Sequence, residues 1–144
     1  MFNPDEFLAT SIPDTVRTPV PVGAYTAQID SIKPSSGTIS KGDRAGEQWA
    51  RLDIVWSIED AGVKEIMRRS KVTVTQGLML DLTPSGDFDT TRNERLNKFR
   101  KTLGLAAGAS VMSLIGQFGK VSVEHEIYNG EPQEKVKSIA GMNS

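Results

Sequence analysis

The segment GEQWARLDIVWSI, residues 46–58, decides the fold because apolar side chains recur at every second position in it. Side chains alternate across a β-strand, so the segment predicts a strand over 47–58. The predicted inward set is Ala50, Leu52, Ile54, Trp56 and Ile58. Trp49 lies seven residues before Trp56, and an odd separation puts the two indoles on opposite faces. Trp56 is therefore assigned to the core and Trp49 to the outer face.

Two further strands are predicted beside this one in the sequence. Residues 23–33 alternate apolar and polar side chains, which predicts strand one. Residues 34–46 collect Pro, Ser and Gly, and they predict a long flexible loop that could wrap a ligand. After a turn at 59–62, residues 63–75 predict strand three, which forms a hairpin with strand two.

A helix is predicted after strand three. Thr91 and Glu94 have the spacing of a capping box, and Gly104 stands where a helix often ends. The apolar residues between them recur at helical spacing, as Leu96, Phe99 and Leu103. A shorter helical turn is predicted over 110–115.

The chain then returns to a strand pattern. Residues 119–128 predict strand four, with Val121, Val123 and Ile127 pointing inward. Asn129-Gly130 is a strong hairpin signal, and residues 135–139 predict strand five.

The order of three strands, a helix and two strands matches the OB-fold, a five-stranded Greek-key barrel with its helix between strands three and four. A split sandwich with a packed helix would give a similar order and stays open as an alternative. Residues 1–21 contain four prolines and predict an irregular N-terminal arm. The OB-fold domain is assigned to residues 22–144.

The composition fits one globular domain, with 144 residues of which 38% are hydrophobic. The chain has no cysteine, so disulfides and thiolate metal sites are excluded and a reducing compartment is favoured. No apolar run approaches the roughly 18 residues of a membrane span, and the N-terminus lacks the pattern of a signal peptide. We therefore expect a cytoplasmic protein without membrane contact.

Positive charge is clustered although the formal net charge is −1. Residues 64–71 carry four basic groups against one acid, and residues 92–101 carry five against one. The net charge argues against a uniformly basic nucleic-acid binder, so local clusters matter more. The second cluster either extends a basic track along the helix or is simply solvated.

Candidate catalytic and metal-binding groups are few. His125 is the only histidine, and alternation separates it from the glutamates on either side of it, which predicts a partly buried structural histidine. Asp53 is expected to form a salt bridge with Arg51 or Arg69. The glycines lack the spacing of a phosphate-binding loop. We expect no enzymatic activity, no metal and no cofactor.

The outer face of strands two and three in an OB-fold, with its adjoining loops, commonly binds single-stranded nucleic acid. Trp49 lies on that face, where an indole can stack on a base while nearby cations hold phosphates. The predicted nucleic-acid-binding residues are Trp49, Arg51, Arg69, Lys71, Lys41, Arg44 and Arg68. The alternative is that Trp49 packs under the N-terminal arm or against another subunit.

Three stretches, VPVGAYTAQIDSIK (20–33), WARLDIVWSIED (49–60) and VKSIAG (136–141), resemble those of phage-encoded single-stranded-DNA-binding proteins. The resemblance covers roughly residues 20–141 and consists of patterns of apolar positions. It implies an OB-fold that coats single strands during DNA replication or recombination in the cytoplasm of a bacteriophage host. Many such proteins end in an acidic tail that recruits partner enzymes, whereas this sequence ends GMNS.

The expected partner is therefore single-stranded DNA, bound without strong sequence preference. Self-association, contact with replication or recombination proteins, and a preference for RNA stay open. The alternative function is a structural or protein-interaction module of a phage assembly that uses the outer sheet for subunit packing.

Overall fold

The computed structural model describes residues 2–9 and 18–142. The strands are β1 (Gly23–Thr38), β2 (Gln48–Ile58), β3 (Thr73–Leu80), β4 (Phe118–Tyr128) and β5 (Glu131–Ala140). The helices are α1 (Pro4–Phe7), α2 (Ala61–Met67) and α3 (Glu94–Thr102), and a 3₁₀ turn covers Val111–Leu114. The predicted order of three strands, a helix and two strands is confirmed, with α2 as an addition between β2 and β3.

The five strands form one antiparallel sheet in the order β3-β2-β1-β4-β5. β1 is the central strand, because it pairs with a strand on each side. Residues 23–28 pair with β4, and residues 27–38 pair with β2. A bulge between Ile29 and Ser31 interrupts its ladder with β2. The sheet is not closed, since no described backbone ladder joins β3 to β5. These two edges nevertheless approach each other and line a shared cavity around Gly77 and Ser138.

The core lies on one face of this sheet. Trp56 is fully buried, and its Nε1 donates a hydrogen bond to Gln76 Oε1 at 3.0 Å. The ring of Phe99, from α3, meets it edge-on at 6.2 Å between centroids. The inward residues of β2 from Leu52 to Ile58 are all buried, as their alternation predicts. The assignment of Trp56 to the core is confirmed.

The predicted extent of strand three, 63–75, is wrong. Residues 61–67 form α2, which Asp60 caps by accepting a hydrogen bond from the Val63 N–H at 2.9 Å. Val63 is buried in the core, and Met67, one helical turn later, is partly buried and packs against it. Arg68 ends the helix in the left-handed region, at φ 55°, and β3 begins only at Thr73.

Three smaller expectations also differ from the structure. β1 continues to Thr38, so the predicted loop shortens to residues 39–47. Thr91 does not cap α3, because its N–H and hydroxyl donate to Asp89 instead. Ile127, expected inward, is 72% exposed because the β4–β5 hairpin runs past Gly23, the first residue of β1, and no core lies beneath it there.

The folded core begins slightly before the expected boundary at residue 22. Val20 is buried, and its carbonyl oxygen lies 2.6 Å from Nε2 of His125. The Tyr25 hydroxyl donates to the Pro21 carbonyl at 2.8 Å. The residues before Val20 that were expected to be irregular lie partly outside the described ranges, and within 2–9 they include α1.

We expect Trp56→Ala to lower the free energy of unfolding by about 3 to 5 kcal/mol, because it leaves a cavity beside Phe99. Urea denaturation followed by circular dichroism measures this loss. Val55→Ala is the matched control, since Val55 is on the same strand and faces outward. An equal loss in both variants would contradict the assignment of faces on β2.

Candidate functional site

A groove of about 440 Å³ opens where β2 begins and β3 ends. It is enclosed by the loop 39–47, by the start of the β3–α3 connection and by the first turn of α3. Its lining includes Arg44, Trp49, Met79, Asp81, Arg92 and Arg95. The groove therefore combines an indole and a thioether with three guanidinium groups.

The Trp49 indole lies against Gly37 on the neighbouring strand. The two residues are directly paired in the β1–β2 ladder, and a Cβ on Gly37 would stand only 2.8 Å from the indole. The guanidinium carbon of Arg51 lies 5.9 Å from the Trp49 ring centroid, near the outer limit of a cation–π contact. Trp49 is half-buried, which leaves part of its surface available to a ligand.

Arg51 is held in place by Asp53, two residues later on the same face of β2. Its Nε lies 3.0 Å from Asp53 Oδ1, and its Nη2 donates to Oδ2 at 3.4 Å. The predicted salt bridge of Asp53 is therefore confirmed, with Arg51 as its partner. The stem of Arg51 lies beside Gly77 of β3, where no side chain obstructs it.

The loop 39–47 forms one wall of the groove and has a closed base. Ile39 and Glu47 share a backbone hydrogen bond of 2.8 Å, and the Gly46 N–H donates back to the Ile39 carbonyl at 2.8 Å. Arg44 forms an ion pair with Glu47 at 2.6 Å, and both side chains are more than half exposed. Such a surface pair contributes only about 0.2 to 1 kcal/mol, so an anionic ligand can compete for Arg44. Lys41 is exposed in the same loop but does not line the groove.

Asn93 joins the end of β3 to the start of α3. It is buried and adopts a left-handed conformation, at φ 61°. Its side-chain oxygen accepts from the Asp81 N–H at 2.7 Å, and its amide donates to the carbonyls of Asp81 and Asp89 at 2.9 and 2.7 Å. Its own N–H donates to the Asp81 carboxylate at 2.9 Å. These four bonds fix the first turn of α3, and with it Arg92 and Arg95, beside the groove.

Asp89 organises the turn before Asn93. The hydroxyl and then the N–H of Thr91 donate to its carboxylate and lower its pKa. Because the pKa is lowered in the folded state, the ionised Asp89 carboxylate contributes to folding stability. This contribution is complete above pH 3.8, the ordinary pKa, and is lost as the pH falls through the lowered pKa. The turn is therefore fully bonded at neutral pH.

The structure brings together only some of the predicted site residues. Trp49, Arg44 and Arg51 lie at or beside the groove, and Lys41 is in its wall loop. Arg68, Arg69 and Lys71 are not on β3 but in the segment before it. Thr73, where β3 starts, pairs with Ser57, eight steps along β2 from Trp49 or about 26 Å.

The expectation that Arg69 and Lys71 lie across the hairpin from Trp49 is therefore wrong. Its cause is the misassigned strand three, which would have carried both side chains onto the outer face. Lys71 instead forms an ion pair with Asp30 of β1 at 2.9 Å.

The sequence patterns did not assign Arg92 and Arg95 to the groove. Both belong to the basic cluster 92–101, which was expected either to extend a basic track or to be solvated. The sequence signal for these two arginines was that cluster, but its position beside the groove depends on the Asn93 hydrogen bonds. Arg95 makes no ion pair with any other residue in the described ranges.

Among residues 2–9 and 18–142, no group of three or more His, Cys, Asp or Glu side chains could hold a metal ion. Within the same ranges, no helix has the length and apolar character needed to cross a bilayer. No protein-family model matches the chain, and no curated protein sequence matches it.

We expect Gly37→Ala to displace the Trp49 indole, because the added methyl group would overlap it. Acrylamide quenching of tryptophan fluorescence measures this, since Trp56 is fully buried and Trp49 is not. Quenching should increase in the variant. Gly77→Ala is the control, because a Cβ there meets Arg51 at an ordinary 3.5 Å. Unchanged quenching in Gly37→Ala would contradict the described position of the indole.

We expect Asn93→Ala to cost about 1 to 3 kcal/mol of folding free energy, because it leaves the partly buried N–H of Asp81 and carbonyl of Asp89 without their side-chain partner. Asn93→Gly keeps the left-handed backbone accessible and separates the effect of the missing side-chain bonds from backbone strain. Thermal denaturation of the two variants measures both contributions. If Asn93→Gly is as stable as the wild-type chain, the side-chain hydrogen bonds of Asn93 contribute nothing to stability.

Proposed function

We propose that this chain binds single-stranded DNA without strong sequence preference, at the groove beside Trp49. The observation that carries the proposal is the half-exposed Trp49 indole with four arginines around it, Arg44, Arg51, Arg92 and Arg95. An aromatic ring can stack on any base, and each base adds about 1 to 3 kcal/mol. The guanidinium groups can neutralise the phosphates on either side of that base.

A single strand suits this groove better than a duplex does. The indole can stack only on a base that has left its own stack, and the groove presents cations rather than a helix or ribbon that could enter a major groove. Asp53 and Glu47 form ion pairs with Arg51 and Arg44, and Arg92 interacts electrostatically with Asp89, whereas Arg95 has no such partner in the described ranges. Arg95 is therefore the cation most readily given to a phosphate.

The strand order supports an OB-fold as the framework of this proposal. In that fold β1 pairs with both β2 and β4, a helix lies between strands three and four, and the outer face of strands two and three binds oligonucleotides. The approach of β3 and β5 corresponds to the seam at which such a barrel closes. The resemblance to phage single-stranded-DNA-binding proteins extends the proposal to a role in replication or recombination, without catalysis.

We expect Trp49→Ala to weaken oligothymidine binding by about 1 to 3 kcal/mol while the fold stays intact. Fluorescence anisotropy of a labelled oligothymidine measures the affinity, and circular dichroism checks the fold. Phe118→Ala is the matched control, because Phe118 is a 47% exposed aromatic on β4, away from the groove. Equal affinity of the wild-type chain for duplex DNA at the same salt would contradict the proposal.

We also expect Arg92→Ala and Arg95→Ala to make the salt dependence of binding shallower, by about 0.7 in log K against log salt for each phosphate that the variant no longer neutralises. Lys120→Ala, which removes an exposed cation from β4, should leave the slope unchanged. Arg69→Ala tests whether the interaction extends to the segment before β3, and an unchanged slope confines it to the groove.

The competing function is subunit packing through the same surface, since Trp49 and the 41% exposed Met79 are also suited to a protein contact. Failure to bind oligothymidine, together with an assembly that Trp49→Ala dissociates, would replace the proposal with that function.

A further inference from the structure

The N-terminal segment 2–9, which contains α1, carries an apolar surface that its own chain does not cover. Asn3 caps the helix through its side-chain oxygen, which accepts from the N–H groups of residues 5 and 6 at 3.0 and 3.2 Å. The rings of Phe2 and Phe7 contact each other at 5.2 Å between centroids. Phe2, Phe7 and Leu8 are 68%, 56% and 85% exposed. The segment is therefore locally organised, yet its largest apolar side chains face solvent.

A second groove lies on the side of α3 that faces the 3₁₀ turn. It has a volume of about 140 Å³, and its lining includes Leu96, Asn97, Arg100, Ala109, Val111 and Leu114. A protein cavity of about 150 Å³ lined by apolar side chains can hold a benzene molecule. The groove thus has the size and apolar walls to take one phenyl ring. Met112, which follows Val111 in the 3₁₀ turn, is 74% exposed.

The charges of the segment and of this α3 groove are opposite. The described lining of the groove contains Arg100 and no carboxylate, and Lys101 follows on the same helix. Segment 2–9 contains two acids, Asp5 and Glu6, and no lysine or arginine. Electrostatic attraction between such surfaces speeds association and fixes the orientation of docking.

We infer that segment 2–9 of one copy docks into the α3 groove of a second copy, with Phe7 as the side chain that enters it. Every residue of this segment is exposed in the single chain, so the apolar surface is not satisfied within one copy. Each copy carries one segment and one groove, so reciprocal docking of two copies closes a dimer, whereas one-way docking builds head-to-tail assemblies. The inference does not depend on nucleic-acid binding, and its failure would leave the groove beside Trp49 untouched.

The first test is the oligomeric state of the full chain. Sedimentation velocity over a range of protein concentrations should show concentration-dependent association, which Phe7→Ala weakens by about tenfold or more as an anchor residue does. Phe7 lies outside the core, so the fold is not at risk. Ile127→Ala is the control, because Ile127 is equally apolar, 72% exposed and distant in sequence from both surfaces. A chain that is monomeric at all concentrations, or an equal effect of both variants, would overturn the inference.

The second test separates exchange between copies from docking within one chain. Val111→Asp removes apolar lining from the groove and opposes the acidic segment. Phe7→Ala chains keep an intact groove, and Val111→Asp chains keep an intact segment. Neither should associate alone, whereas a mixture of the two should form a one-to-one complex. Docking between copies would be overturned if that complex does not form. It would also be overturned if Phe7 is shielded from solvent in a monomer.

Discussion

β1 must pair along both of its edges, and the rest of the architecture depends on that constraint. Its first residues pair with β4 and its later residues pair with β2, so β4 and β2 are offset from each other along β1. The β4–β5 hairpin therefore projects beyond one end of β1. The loop 39–47 and the groove beside Trp49 lie at the opposite end. The exposed tip with Ile127 and the candidate site are both consequences of one shared strand.

The site itself is built from contacts of very different strength. Gly37 and Gly77 leave flat surface on either side of β2, which lets Trp49 and Arg51 lie along the sheet. The Asn93 bonds then bring a second set of cations from a separate helix. The arginines on the loop and on β2 are paired with carboxylates, whereas Arg95 is not so paired within the described ranges. Hydrogen bonds therefore fix the backbone around the groove, whereas its arginine side chains can exchange their carboxylate partners for an anionic ligand.

The alternation on β2 predicted the faces of Trp49 and Trp56 because a strand with one buried face admits only one register. The Asn129-Gly130 turn was equally predictable, since both residues adopt the positive φ that such a turn requires. α2 was missed because Asp60 was counted as part of a turn rather than as a helix cap. The position of Arg92 could not be predicted, because it depends on hydrogen bonds between Asn93 and the distant end of β3.

The sheet leaves β3 and β5 as unpaired edges, and unpaired edges invite foreign strands to add to them. β5 counters this with Pro132, which has no backbone N–H to offer, and with Lys135 and Lys137 farther along. β3 is shielded in another way, since β5 itself lies against it without forming a ladder. Each edge of the open sheet is therefore protected against the addition of a strand from another copy of the chain.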